Sequence, residues 1–228
     1  MDENVRESPL IDLTNINEKV YDYIKKKIIT SDFPCGHKLN IAKLSETLYV
    51  SQTPIKDALS RLSGEGLVDI MSRTGTYVKN LTQTDVYEIL QIRLFLETSV
   101  ISEVARKITD EQVQYIKDIY LKGISVAVTS DNSESYKIYM EHDSQFHLSL
   151  FNIMGNKRLL QIYQNLNVHM QIVRLRLIFH TMNKIRIMQT NEEHRMILDA
   201  LMKRDVTNAI QAVEKHINRV ISDFQEKT

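Results

Sequence analysis

Asp143 and His147 stand four residues apart, a spacing that puts both side chains on one face of a helix. Tyr136, Tyr139, Met140, Phe146, Leu150 and Met154 share that face, so it is expected to be buried. An ionised carboxylate there is costly unless it is paired or bound to a metal. His194 lies among Met188, Ile197, Leu198 and Leu201, and His216 among Ala209, Val213, Ile217 and Val220. Both sets are apolar stripes of helical period. Three helices would thus aim three imidazoles and one carboxylate into a single core. That donor mixture suits zinc, nickel, manganese or iron(II), and four protein ligands leave room for water or a small molecule. The pattern leaves other readings open. Each histidine could be a core residue satisfied by a hydrogen bond, and His37, His142, His169 and His180 show that the residue is not rare in this chain. The set could hold a purely structural metal. It could also activate water as in a metal-dependent hydrolase, although no glutamate at a general-base spacing accompanies it.

A second group of polar residues has a different chemistry. In the run Ser51–Leu62, Ile55, Ala58, Leu59 and Leu62 make an inward stripe, while Ser51, Gln52, Thr53 and Lys56 lie off it at the leading end. A helix that enters the major groove presents its N-terminal turn to the bases in this way. Glutamine can make two hydrogen bonds to adenine, and lysine can reach guanine or a phosphate. Arg61 lies further along the same helix. Arg73, Thr74 and Gly75 form the tip of a short hairpin, from which Arg73 could reach the DNA backbone or minor groove. From spacing alone, ordinary solvated residues on a small helical domain would look the same.

The elements that must hold these groups follow from periodicity and breakers. Helices are expected over 15–30, from Ile41 to Leu48, and from Thr53 to Ser63, the last with Ser51 as N-cap and Gly64 as its terminating glycine. Short β-like runs at 67–71 and 76–78 flank the hairpin tip. Three helices and a hairpin are the layout of a winged helix-turn-helix. From Leu81 onward six helices are expected, beginning with a Thr82/Asp85 capping pair and ending near Phe224. The fold class is therefore mainly α: a winged helix over 15–80 and an all-helical bundle over 81–228, with a mobile tail over 1–14. All three prolines precede residue 55, which fits so helical a second half.

Bulk properties exclude little. Lys+Arg and Asp+Glu both number 29, so net charge gives no argument for nucleic acid, and residues 15–80 carry only ten basic against seven acidic side chains. A single cysteine, Cys35, forbids an internal disulfide and fits a reducing cytoplasm. No apolar run is long enough to span a membrane, and the polar, acidic start lacks the pattern of a secretory signal.

The ordered run Gly36-His37-Lys38-Leu39, Leu44, Val50 to Leu59, Arg61-Leu62, Glu65-Gly66-Leu67-Val68 and Gly75-Thr76-Tyr77-Val78 closely resembles the winged helix of GntR-family regulators. The six-helix remainder is similar to the FCD subgroup, the fatty-acid-regulator-like branch, in Arg93-Leu94-Phe95-Leu96-Glu97, in Glu193 to Leu201 and in His216-Ile217. The resemblance implies a transcriptional regulator, expected to be a repressor and not an enzyme. It would bind double-stranded operator DNA as a homodimer and answer to a small organic acid. It implies that Asp143, His147, His194 and His216 hold a divalent transition metal, zinc foremost, with nickel, manganese or iron as alternatives. Arg93, Arg174 and Arg176 are candidates to pair an effector carboxylate, since guanidinium binds carboxylates through two bonds; surface salt bridges are their other reading. The family usually has arginine where this chain has Gln52 and Lys56. These residues are not interchangeable at a base edge, so the family's usual operator is not expected here.

Overall fold

The computed structural model describes residues 13–129, 133–181 and 184–225. The chain divides into two compact units, Met1–Asn80 and Leu81–Thr228. The tail expected over 1–14 lies outside the described residues except for its last two, which open the first helix.

The first unit contains α1 (Leu13–Ile29), β1 (Lys38–Leu39), α2 (Ile41–Leu48), α3 (Gln52–Gly64), β2 (Val68–Met71) and β3 (Gly75–Val78). Val20, Ile24 and Ile28 recur at helical spacing along α1 and are buried, as are Leu44 of α2 and Ile55, Ala58, Leu59 and Leu62 of α3. Burying a leucine such as Leu62 stabilises by roughly 1.5–3 kcal/mol. The strands form an antiparallel sheet in the order β1-β3-β2, with Val68 opposite Val78 and Lys38 opposite Tyr77. Sequence periodicity missed β1, whose two residues are too short to show any period.

The end of α3 also differs from expectation. Gly64 is the last helical residue, but the left-handed residue that stops the helix is Gly66 (φ 73°). There the Leu67 N–H donates back to the Leu62 carbonyl at 2.9 Å, which satisfies an orphan carbonyl of the last turn. Tyr21 and Lys25 of α1 both bond the Glu65 carboxylate beside this corner, locking α1 to α3.

The second unit contains α4 (Gln83–Lys107), α5 (Asp110–Thr129), α6 (Ser133–Met154), α7 (Lys157–Thr181), α8 (Lys184–Met202) and α9 (Val206–Gln225). The expected capping box is present: the Thr82 side chain takes the Asp85 N–H, and Asp85 takes the Thr82 N–H. Asn156 and Asp205 cap α7 and α9 through the Leu159 and Asn208 N–H groups. Helix α4 packs against α6, α7, α8 and α9. Its buried stripe runs Val86, Leu90, Arg93, Glu97, Val100, Ile101 and Val104. A charged pair thus sits in the middle of an apolar stripe, where desolvation demands partners.

Candidate metal centre and nucleic-acid interface

His147 from α6, His194 from α8 and His216 from α9 are all buried, and one ring nitrogen from each lies within 4.8 Å of the others. His147 Nε2 is 3.1 Å from His194 Nε2. Asp143 Oδ1, also buried, lies 3.5 Å from His194 Nε2 and 3.9 Å from His147 Nε2. The structure therefore brings the three expected histidines together, with the expected Asp143 beside two of them. First-row ions bind imidazole nitrogen at about 2.0–2.1 Å, which spaces neighbouring donors about 3–3.5 Å apart. The His147–His194 and Asp143–His194 separations fall in that range, while Asp143–His147 at 3.9 Å and the full spread of the histidine nitrogens, up to 4.8 Å, are wider and would close on binding an ion.

The outer ring nitrogens explain how the donors are aimed. Glu97 Oε2 accepts from His147 Nδ1 at 2.7 Å, and Glu193 Oε2 accepts from His216 Nδ1 at 2.8 Å. An ionised carboxylate only accepts, so each Nδ1 carries the proton and each Nε2 lone pair is left facing inward. Glu97 is held in turn by Arg93 Nε at 2.6 Å and the Tyr163 hydroxyl at 2.5 Å. Glu193 is held by two nitrogens of Arg219, at 2.5 and 2.8 Å, and Arg219 also bonds Asp223 and Thr190.

Burial alone would raise the Glu97 pKa, but Arg93, His147 and Tyr163 more than reverse this and hold it well below the ordinary value. Burial, reinforced by the Arg93 guanidinium, pulls His147 down to about 4 against the attraction of Glu97. Burial and the neighbouring His216 hold His194 well below the usual imidazole range. His147 and His194 are therefore neutral near pH 7, the form that donates to a metal. Three imidazole nitrogens with an adjacent carboxylate, two of them backed by carboxylates, could hold a divalent transition ion.

Sequence reasoning did not assign roles to Glu97, Glu193, Tyr163 or Arg219. The available signal was Arg93 and Glu97 falling on the apolar stripe of α4. Arg93, expected to meet an effector carboxylate, is 2% exposed and already paired with Glu97, and its Nη2 approaches His216 Nε2 at 3.4 Å. Arg174 and Arg176 fall on α7, but their side chains, like that of Tyr136, lie outside the described residues. Met188, expected to share the buried face of His194, is instead 63% exposed.

In the first unit, Ser51, Gln52, Thr53 and Lys56 are all exposed at the leading end of α3, above the buried Pro54 and Ile55. Ser51 is the N-cap residue by backbone conformation, yet its side chain makes no capping bond. Arg61 turns the other way: it pairs with Glu18 at 2.6 Å and lies over the Tyr21 ring at 3.9 Å, both on α1. Arg73 and Thr74 are exposed at the hairpin tip, and Gly75 beside them is half-buried. Arg73 has a left-handed backbone (φ 73°), and the Tyr77 hydroxyl donates to the Thr74 carbonyl at 2.9 Å, which fixes the tip.

Comparison with known proteins bears on both regions. Residues 16–78 match the model of the bacterial regulatory proteins of the gntR family, and residues 88–219 match that of the FCD domain. The chain is 27% identical over 198 residues to the HTH-type transcriptional regulator YdhC of Bacillus subtilis, covering 87% of this chain and 86% of that one. It is 23% identical over 212 residues to the HTH-type transcriptional repressor RspR of Escherichia coli, covering 92% and 90%. Among solved structures, Escherichia coli McbR/YncC shares the fold, with a TM-score of 0.77 at 18% identity over 93% of this chain and 98% of that one. The two relatives matched by sequence are named as regulators of transcription.

Proposed function

Because the chain belongs to the GntR family of bacterial transcriptional regulators and carries the family's FCD domain, we propose that it is an operator-binding repressor controlled through a metal centre in its helical unit. The observation that carries this reading is the convergence of His147, His194 and His216, with the outer nitrogens of His147 and His216 locked by Glu97 and Glu193. Asp143 completes the ligand set. Zinc suits these donors best, with nickel, manganese and iron as alternatives. When bound, the ion supplies a Lewis-acidic anchor for a small carboxylate. The chain's residues do the rest: the histidines and Asp143 would fix the position and burial would limit water, while Arg93 stays committed to Glu97 beside His216.

Operator contact falls to Ser51, Gln52, Thr53 and Lys56, with Arg73, Thr74 and Gly75 at the wing, while Arg61 positions α3 on α1. The protein acts in the cytoplasm as a homodimer, because one short recognition helix reads too few base pairs for a useful specificity ratio. Effector binding changes operator affinity through a coupling of about 1–3 kcal/mol. RspR, to which the chain is similar, is itself named a repressor, which supports the repressor reading.

The test is elemental analysis of purified protein together with operator titrations against candidate organic acids, before and after chelation. His194→Ala and His216→Ala are expected to lose the metal and the effector response while retaining DNA binding. Chelated wild-type protein that still responds fully would overturn the sensory role, and chelated protein that unfolds would favour a structural one.

A further inference from the structure

The turn between α2 and α3 carries a residue that the DNA-contact set above leaves out. Tyr49 is 95% exposed, and its side chain has no partner among the described residues. It holds a left-handed backbone (φ 54°, ψ 41°) as the residue that ends α2, its N–H turned to the Glu46 and Ser45 carbonyls. Glycine or asparagine is the usual occupant of such a position, because a Cβ crowds the following carbonyl there. A tyrosine thus sits where the backbone disfavours it and where nothing among the described residues packs on the ring. That leaves the ring free to meet something outside the fold. Its place says what that is. In a helix-turn-helix the first helix crosses the DNA backbone and the second enters the major groove. Tyr49 lies at the junction of the two, two residues before Ser51. Two trans peptides separate Tyr49 from Ser51 by about 7 Å at most, so a head docked through Ser51–Thr53 brings the turn to the lip of the groove, where phosphates lie.

We propose that Tyr49 is a DNA-contact residue whose phenolic hydroxyl donates to a phosphodiester oxygen flanking the half-site. It positions the head and does not read sequence. Being uncharged, it contributes affinity without releasing a counterion, so its contribution survives added salt, unlike that of a lysine.

The experiment uses the full-length protein with two duplex probes, one selected by the wild type from a randomised-core library and one scrambled. Tyr49→Phe is expected to weaken both by about tenfold per head, about a hundredfold for the homodimer, the scale of one hydrogen bond to a charged group in each head, with the slope of affinity against salt unchanged. Tyr49→Gly is expected to lose at least as much affinity while raising the thermal midpoint, because the left-handed backbone strain is removed. That opposite movement separates contact from fold. The inference rests on α3 being the groove helix, so Lys56→Ala is measured alongside. Weakening by Lys56→Ala with wild-type binding by Tyr49→Phe overturns the Tyr49 assignment alone. Wild-type binding by both overturns the groove assignment with it.

Discussion

The two units use polar residues in opposite ways. At the leading end of α3, Gln52, Thr53 and Lys56 are exposed above an apolar base, and Ser51 is not even committed to its own cap. In the helical unit, Arg93, Glu97, His147 and His216 are almost fully buried, and each has a partner. The first surface is poised for a partner that arrives from solvent, so its side chains cost the fold almost nothing. The second must remain satisfied in a medium where an unpaired charge is expensive, so its side chains are part of the fold. Removing a polar residue should therefore cost stability in one unit and binding in the other.

The largest expected effect tests that contrast directly. Glu97→Ala strips the buried Arg93 and His147 of their shared carboxylate and should cost about 3–5 kcal/mol. Gln52→Ala should stay within about 0.5 kcal/mol of wild type. Urea unfolding of the two variants measures both, and a Glu97→Ala protein with a wild-type midpoint would break the comparison. A smaller effect should follow acidification of chelated protein. His147 falls from 6.5 to about 4 on folding, so between those values the unfolded chain binds a proton that the native one does not. Stability then rises with pH and is lost as pH falls from about 6.5 toward 4. The lowered Glu97 acts in the same direction, its contribution present above its ordinary value and lost below it. A thermal midpoint that is flat across this window would contradict the burial argument.

On the exposed side, Gln52→Ala should relax preference at one base position by about 1–3 kcal/mol. Binding-site selection on variant and wild type reads this, and an unchanged base profile would remove Gln52 from the reading set. The smallest effect belongs to Arg73→Ala, expected to weaken all duplexes alike and to reduce the salt slope by about 1 per head. A sequence-dependent loss there would mean that the wing reads bases.

What the sequence revealed was local, and what it hid was not. The Thr82/Asp85 capping box, the leading end of α3 and the apolar stripes that carry His194 and His216 all follow from residues a few positions apart. The two carboxylates that aim the histidines lie 50 and 23 residues from their partners, and no helical period links positions so far separated. Strand β1 was hidden for a related reason: it exists through pairing with β3, more than thirty residues on. Arg61 shows the same limit. Its position on α3 says nothing of the Glu18 and Tyr21 contacts it makes, because both come from a helix earlier in the chain. Gly64 and Gly66 compete for the end of α3 in the sequence, and only the backbone conformation decides between them.

The Glu97 carboxylate gathers groups from three helices: Arg93 of its own, His147 of α6 and Tyr163 of α7. This arrangement limits the routes by which the chain can diversify. Any single replacement at these four positions strands a buried partner, so the quartet can change only by coordinated steps whose intermediates are unstable. A lineage altering the interior of this unit would have to change residues around this knot and leave the knot itself intact. Libraries built to retarget the regulator should hold these four positions fixed.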